Sequence, residues 1–209
     1  MQPRIGIVIE KSKRFMKPKF DAAYYQKFYL SRETRAVSPA EQGRLAKFVS
    51  AYLKYLELPV THIVDVGCGI GTMLKAFGKH FPNATLSGIE FSDYLVEQYG
   101  WQHGSVVDFQ ANPKADLLIC NDVLGYLNKK ACTQAIHNLA DNTRGALYLS
   151  VLTSDDLAQT DTDHTDMSQT LRSADYYRDS LAKHFVAVGG GLYLKKPVEV
   201  PVWQLERID

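Results

Sequence analysis

The chain has 209 residues, 45% of them apolar and 22% charged, which is room for one α/β domain with a real core and a small appendage but short for two domains. Its 24 basic and 23 acidic side chains leave a net charge of +1, with no basic run that would mark a nucleic-acid face, and no apolar run approaches the roughly 18 residues of a membrane span. Cys68, Cys120 and Cys132 are odd in number and lack C-x-x-C spacing, which argues against a disulfide framework or a zinc site and fits a reducing cytoplasm.

Met1 to Glu10 is too short and interrupted for a signal peptide, and within it Ile5 to Ile9 reads as a short strand. Lys11, Lys13, Arg14, Lys17 and Lys19 form a weak basic cluster, read as a solvated face. From Phe20 to Leu30 runs a short helical pattern unusually rich in aromatics, Tyr24, Tyr25, Phe28 and Tyr29 among them, followed by Arg32, Glu33 and Arg35. Ser38-Pro39-Ala40-Glu41 then reads as a helix start: Ser38 is the N-cap, Pro39 takes the first helical position and Glu41 closes a capping box. Leu45, Phe48, Val49, Tyr52, Leu53 and Leu56 continue an amphipathic stripe to about Leu58-Pro59, so this helix packs on the sheet that follows.

His62 to Val66 is β-branched and apolar, as a parallel strand buried on both faces requires. Gly67, Gly69 and Gly71 follow at every second position, and Ile70, Met73, Leu74 and Phe77 open a helical pattern. Glycines there permit a tight strand-to-helix turn and a close approach of ligand to backbone, while free amides at the helix start favour an anionic group. A glycine turn that merely joins strand to helix would look the same. The dinucleotide fingerprint is G-x-G-x-x-G, whereas this chain reads G-x-G-x-G with Asp65 two positions before the first glycine. Val64 to Gly71 resembles motif I of the class I S-adenosylmethionine-dependent methyltransferases. The resemblance implies that Asp65, Gly67, Cys68, Gly69 and Gly71 hold the cofactor, with Asp65 facing its cationic end.

Ala84 to Glu90 is a second strand ending in an acid 19 residues beyond Gly71. In the family such a carboxylate accepts from the ribose hydroxyls, and Phe91 beside it would cover an adenine face; Ser92 caps a helix from Asp93 to Tyr99. Trp101 to Phe109 resembles the third element, which assigns the adenine amino group to Asp108 and the ring nitrogen to a backbone amide near Val107 or Phe109. Ala115 to Leu127 resembles motif IV, placing Asn121 and Asp122 at a strand's carboxyl end, where open α/β sheets bind ligands. It lacks the Asn/Asp-Pro-Pro-aromatic run of DNA-modifying enzymes and has the form of the branch acting on small metabolites, in which a histidine often stands where Gly125 or Tyr126 stands here. Lys129 to Asp141 is a helix with Ala131, Cys132, Ala135, Ile136 and Leu139 inward and His137 solvated.

Gly145 to Leu152 is a fifth strand, and a polar connection of roughly twenty residues follows, long enough to be functional or disordered. It carries His164 among Asp155, Asp156, Asp161, Asp163 and Asp166; a divalent metal there is a weaker reading than solvation, and no metal is assigned. Asp122 and His164 are the candidate general bases. Ser173 to Lys183 returns to helix, with Ala174, Tyr177 and Leu181 inward and Tyr176 and Arg178 towards the pocket. Phe185 to Val188, the Gly189-Gly190-Gly191 turn and Leu192 to Leu194 signal a hairpin, and Val198 to Leu205 is a last strand or extended tail.

The resemblance, from about Ile63 to Leu194, implies a seven-stranded, mostly parallel Rossmann-like methyltransferase sheet with a C-terminal antiparallel hairpin and N-terminal lid helices. Residues 1–61 would form the lid, with Tyr24, Tyr25, Phe28, Tyr29 and Arg32 over the acceptor together with Tyr126 and Tyr176, and residues 62–209 the S-adenosylmethionine-binding domain. The implied activity is methyl transfer to O or N of a small molecule. A protein or RNA acceptor docked on the aromatic helix and the basic cluster, or a non-catalytic cofactor-binding module, are the alternatives.

Overall fold

The computed structural model describes residues 20–35 and 37–208; the expected strand at Ile5–Ile9 and the basic cluster from Lys11 to Lys19 lie outside them. Helix α1 (Ala22–Tyr25) starts on Asp21, whose side chain accepts from the Tyr24 amide at 3.1 Å. It then widens into a π-helical stretch, Gln26–Leu30, so the aromatic segment is helical but not uniformly α. Helix α2 (Pro39–Tyr55) begins as the sequence predicts, with Ser38 and Glu41 forming a reciprocal capping box.

The strands are β1 (His62–Val66), β2 (Thr85–Glu90), β3 (Gln102–His103), β4 (Ala115–Asn121), β5 (Thr143–Ser150), β6 (Phe185–Ala187) and β7 (Leu192–Lys195), in the order β3-β2-β1-β4-β5-β7-β6. Every pairing is parallel except those of β7, which runs antiparallel to both β5 and β6. The chain moves outward one way through β1, β2 and β3 and the other way through β4 and β5. The switch point therefore lies between β1 and β4, whose carboxyl ends carry Gly67 and Asn121.

Alternation along the strands divides two cores. Val64, Val66, Leu118, Cys120, Leu147 and Leu149 face helices α5 (Lys129–Asn142) and α6 (Ala174–Leu181). Ile63, Leu117, Ile119, Ala146 and Tyr148 face α2 and α3 (Thr72–Gly78). At the opposite end of the sheet from the switch point, Asp116 ties the strand starts together, accepting from the Thr61 and His62 amides at 2.8 and 3.0 Å and from Arg144 Nε at 2.8 Å.

Several local expectations are corrected. Phe48 is not on the inner stripe of α2; it is 56% exposed and lies over Gly190, while Ala46 and Ser50 take inner positions. Ile70 belongs to the glycine turn rather than to α3. Ser92 precedes helix α4 (Asp93–Tyr99) but makes no side-chain cap, because its hydroxyl donates to the Phe20 carbonyl at 2.7 Å and so ties the aromatic segment to the end of β2. Of the two readings of Val198 to Leu205, a last strand or an extended tail, the structure shows the tail, with a 3-10 turn at Gln204–Glu206. Its Val198, Val200 and Val202 pack on the α2 side of the sheet.

Candidate active site

Gly67, Gly69 and Gly71 all have left-handed backbones, with φ of +71°, +56° and +77°, a region that costs any other residue about 1–2 kcal/mol. Their surroundings differ. A Cβ on Gly67 would lie 2.4 Å from Val123 and one on Gly71 2.6 Å from Trp101, whereas on Gly69 the nearest atom, in Tyr29, is 3.9 Å away. Two of the glycines thus let neighbouring elements close up, and Gly69 is the one whose backbone faces open space. Trp101 braces the turn further, donating from Nε1 to the Gly69 carbonyl at 2.9 Å. Glu90 holds it from the other side: one carboxylate oxygen accepts from the Gly69 amide at 2.8 Å, the other from Phe91 and Ser92 at 2.8 and 2.9 Å.

Asp65, one step before the end of β1, is buried, and burial together with the negative charge of Glu90 pushes its carboxyl up to about 8. It lines a small recess of about 30 Å³ with Gly67, Cys68, Gly69, Gln42 and Asn121. A hydrogen bond from the Leu74 amide offsets the rise of the Asp65 carboxyl only in part. Burial raises the Cys68 and Cys120 thiols well above their ordinary range, so neither is a ready nucleophile.

Beside this recess lies a cleft of about 110 Å³ between Gly67, Gly69, Glu90, Phe91, Ser105, Val106 and Leu127 on one side and Phe20, Tyr24, Tyr25 and Tyr29 on the other. A larger cavity of about 440 Å³ opens beyond it, lined by Phe28, Glu41, Tyr148, Asp156, His164 and Asp166 among others. The two share Tyr24, Tyr29, Asn121, Asp122 and Tyr126, and Tyr29 borders all three spaces.

At that junction Asp122 has φ of +56°, a strained backbone for a residue with a side chain. Its amide donates to the Ser150 carbonyl at 2.8 Å and its Oδ1 accepts from Gln169 Nε2 at 3.0 Å. Burial pushes its carboxyl up to about 6. Tyr126 donates to Asp166 at 3.0 Å, so the 2.8 Å contact with the Tyr24 hydroxyl is one in which Tyr24 donates. His164 is further out, with Nδ1 2.7 Å from Asp161 and Nε2 2.9 Å from the Glu33 carbonyl.

Of the residues expected from sequence, Asp65, Gly67, Cys68, Gly69, Glu90, Phe91, Asn121, Asp122, Tyr24, Tyr25, Tyr29, Tyr126 and His164 line these connected spaces. Five others do not. Gly71 is packed beneath Trp101. Asp108 is exposed and Val107 sits behind the wall, because Ser105 to Phe109 coils into a turn that presents Ser105 and Val106 to the cleft instead. Arg32 points to solvent just past the π-helical stretch. Tyr176 lies between α5 and α6, its ring under the Arg172 guanidinium and its hydroxyl 3.4 Å from Thr133.

Sequence reasoning missed Gln169, Trp101 and Ser105. Gln169 had one trace: its side chain occupies the place a Cβ on Gly125 would need, at 2.0 Å. Among the described residues no group of three His, Cys, Asp or Glu side chains could hold a metal ion, and no helix is long and apolar enough to cross a membrane.

The sheet order, the glycine turn at the switch point and the acid closing β2 define a methyltransferase-type Rossmann fold. A family model described as "Methyltransferase domain" matches residues 37–189, and the chain belongs to that family. Malonyl-[acyl-carrier protein] O-methyltransferase of Legionella pneumophila is 28% identical over 114 residues, which cover 49% of this chain and 40% of the relative, so the chain spans about two fifths of that relative's length. Among solved structures, magnesium protoporphyrin IX methyltransferase (ChlM) from Synechocystis with bound SAM matches with a TM-score of 0.56 at 19% identity, over 82% of this chain and 85% of that one. The plantazolicin methyltransferase BpumL in complex with a triazolic desmethyl analogue and SAH matches with a TM-score of 0.58 at 16% identity, over 77% and 72%. At those identities the likeness is one of fold.

Proposed function

We propose that the chain is an S-adenosylmethionine-dependent methyltransferase acting on O or N of a small molecule. The observation that carries this reading is the pair of connected spaces: a cleft over the glycine turn and an acceptor-sized cavity that meets it at Asn121, Asp122 and Tyr126. A module that only bound a cofactor would have no use for the second space.

The residues fit the cofactor. The Gly69 Cα faces room that a side chain would occupy, Asp65 is a buried acid awaiting a cation, and Glu90 stands where ribose hydroxyls would be received. Phe91, 63% exposed beside Val106 and Ser105, offers a ring face for adenine. S-adenosylmethionine supplies an activated methyl group on a sulfonium; the protein aligns the acceptor and excludes water, which in such a displacement is most of the catalytic task. Asp122 is positioned to accept a proton from an acceptor that arrives protonated.

The aromatic segment from Phe20 to Leu30 acts as a lid. With it closed the cleft holds about 110 Å³, well below the roughly 300 Å³ at which ligand pockets begin, so Tyr24, Tyr25 and Tyr29 move when the cofactor enters. The similarity to a malonyl-[acyl-carrier protein] O-methyltransferase and the fold shared with a magnesium protoporphyrin IX methyltransferase support a small or carrier-bound acceptor.

Calorimetry tests the reading directly. The purified chain takes up S-adenosylhomocysteine at micromolar concentration or tighter and ignores NADH; uptake of NADH with no response to S-adenosylhomocysteine overturns it.

A further inference from the structure

Building on the methyltransferase reading of the cleft, we propose that the acceptor is a small cationic amine, methylated on nitrogen, and not a carboxylate. The wall of the acceptor cavity carries Glu41, Asp122, Asp156 and Asp166, and His164 is the one basic side chain among the described residues that line it. Not all four acids count equally. Glu41 is engaged with Ser38 and lies near Arg35 and Arg44, and Asp156 is engaged with Thr153, so these two shape the rim. Asp122 stands at the junction where the methyl group must arrive, and Asp166 lines the acceptor cavity beside it, held to the junction by Tyr126.

A second observation is independent of that charge count: the direction of the hydrogen bonds. The Tyr24 hydroxyl hydrogen is spent on Tyr126, the Tyr126 hydrogen on Asp166, and the Gln169 amide hydrogens on Asp122 and Tyr126. What this network turns to the cavity is lone pairs. Asp122 Oδ2 takes no hydrogen bond from any described residue, and the Asp122 backbone is held in a left-handed conformation that places its side chain there. Lone pairs and negative charge are complementary to N–H donors on a cation, and they repel a carboxylate. Tyr24, Phe28, Tyr29, Tyr126 and Tyr148 also line the cavity, alongside the neutral Gln42, Asn121, Ser150 and Thr165, and aromatic rings around a cation add to its binding.

The chemistry balances without a further reagent. The ammonium of the acceptor gives a proton to the Asp122 carboxylate, the freed nitrogen lone pair forms the N–C bond, and the C–S bond breaks with its electron pair left on sulfur. The methylated ammonium leaves, and Asp122 returns its proton to solvent.

The test uses the whole chain saturated with S-adenosylhomocysteine, titrated with tyramine and with 3-(4-hydroxyphenyl)propionate, which present the same ring with opposite charge. Tyramine is expected to bind at least about tenfold more tightly, and Asp166→Asn to reduce that preference several-fold; Asp156→Asn, at the rim, serves where the first variant does not fold, with a smaller reduction expected. If S-adenosylhomocysteine itself fails to bind, the methyltransferase reading falls and takes this one with it. If it binds and the propionate is held as well as the amine, or neither probe is held, the amine assignment alone is overturned.

Discussion

The two ends of the active cleft are built on different principles. At the glycine turn, position is set by backbone: Gly67, Gly69 and Gly71 fix the path, strand ends supply the amides, and Glu90 and Trp101 bind main-chain groups rather than other side chains. At the acceptor end, position is set by side chains reaching across from three separate segments, Tyr24 from the lid, Asp122 and Tyr126 after β4, and Asp166 and Gln169 from the long connection after β5. A site made of backbone tolerates little change; one made of side-chain contacts can be retuned residue by residue. Binding of a common cofactor calls for the first and recognition of a particular acceptor for the second.

The largest effect should come from breaking the backbone end at its carboxylate. Glu90→Ala leaves the Gly69, Phe91 and Ser92 amides without their acceptor, at about 1–3 kcal/mol for each that stays buried and unpaired. Affinity for S-adenosylmethionine is expected to fall by two orders of magnitude or more in calorimetry, accompanied by a lower melting temperature, because the same side chain that would receive the ribose also holds the turn. Glu90→Gln, which keeps one acceptor oxygen and turns the other into an NH2 donor, should recover part of the stability and less of the binding.

Comparing two glycines sharpens the point. Gly67→Ala meets Val123 and a left-handed backbone together and should cost roughly 2–4 kcal/mol of stability in chemical denaturation. Gly69→Ala has the strain without the collision, so it should fold nearly as well as the parent and fail chiefly in cofactor binding. Equal loss of stability in the two would mean that Gly69 is as much a packing glycine as Gly67.

Asp65 gives a pH signature to the same end. Its carboxyl stands at about 8 when folded against about 3.9 unfolded, so the folded state binds the extra proton. The contribution to stability is fully present below about pH 4 and is lost as the pH rises through 8. A cation brought against Asp65 favours the ionised form and releases that proton. Cofactor affinity is therefore expected to rise by about tenfold per unit at most between pH 6 and 8, with proton release visible in calorimetry in buffers of different ionisation enthalpy, and Asp65→Asn should flatten the slope.

This division also explains what was legible in the sequence. Asp65, the glycines and Glu90 are close in sequence to the strand ends that position them, so the resemblance to the methyltransferase motifs located them together, while apolar runs and capping located β1, β2, β4, β5 and the start of α2. Asp108 was misplaced because a turn after a two-residue strand does not show in any period, and the coil from Ser105 to Phe109 rotates the acid outward. Tyr176 was misplaced because the helical pattern says which face is apolar but not which side of the sheet the helix packs on. Gln169 could not be found at all: it acts from 47 residues away on Asp122, and the only local sign is a glycine at 125 that leaves it room.

The smallest effect separates the two ends most cleanly. Tyr126→Phe removes the hydroxyl that receives from Tyr24 and Gln169 and donates to Asp166, and touches nothing on the glycine turn. Loss of such a partly exposed hydrogen-bond centre costs about 1 kcal/mol, so the melting temperature should move by only a few degrees and S-adenosylhomocysteine affinity less than about twofold. Turnover should respond differently, because Tyr24 then loses its anchor across the cleft and the lid closes less often over a bound acceptor: kcat/KM falls several-fold while the cofactor's own binding stays put. If the substitution instead weakens cofactor and acceptor alike, the two ends are one cooperative unit, and the lid is coupled to the glycine turn through Tyr25 and Tyr29 rather than through the Tyr24–Tyr126 contact.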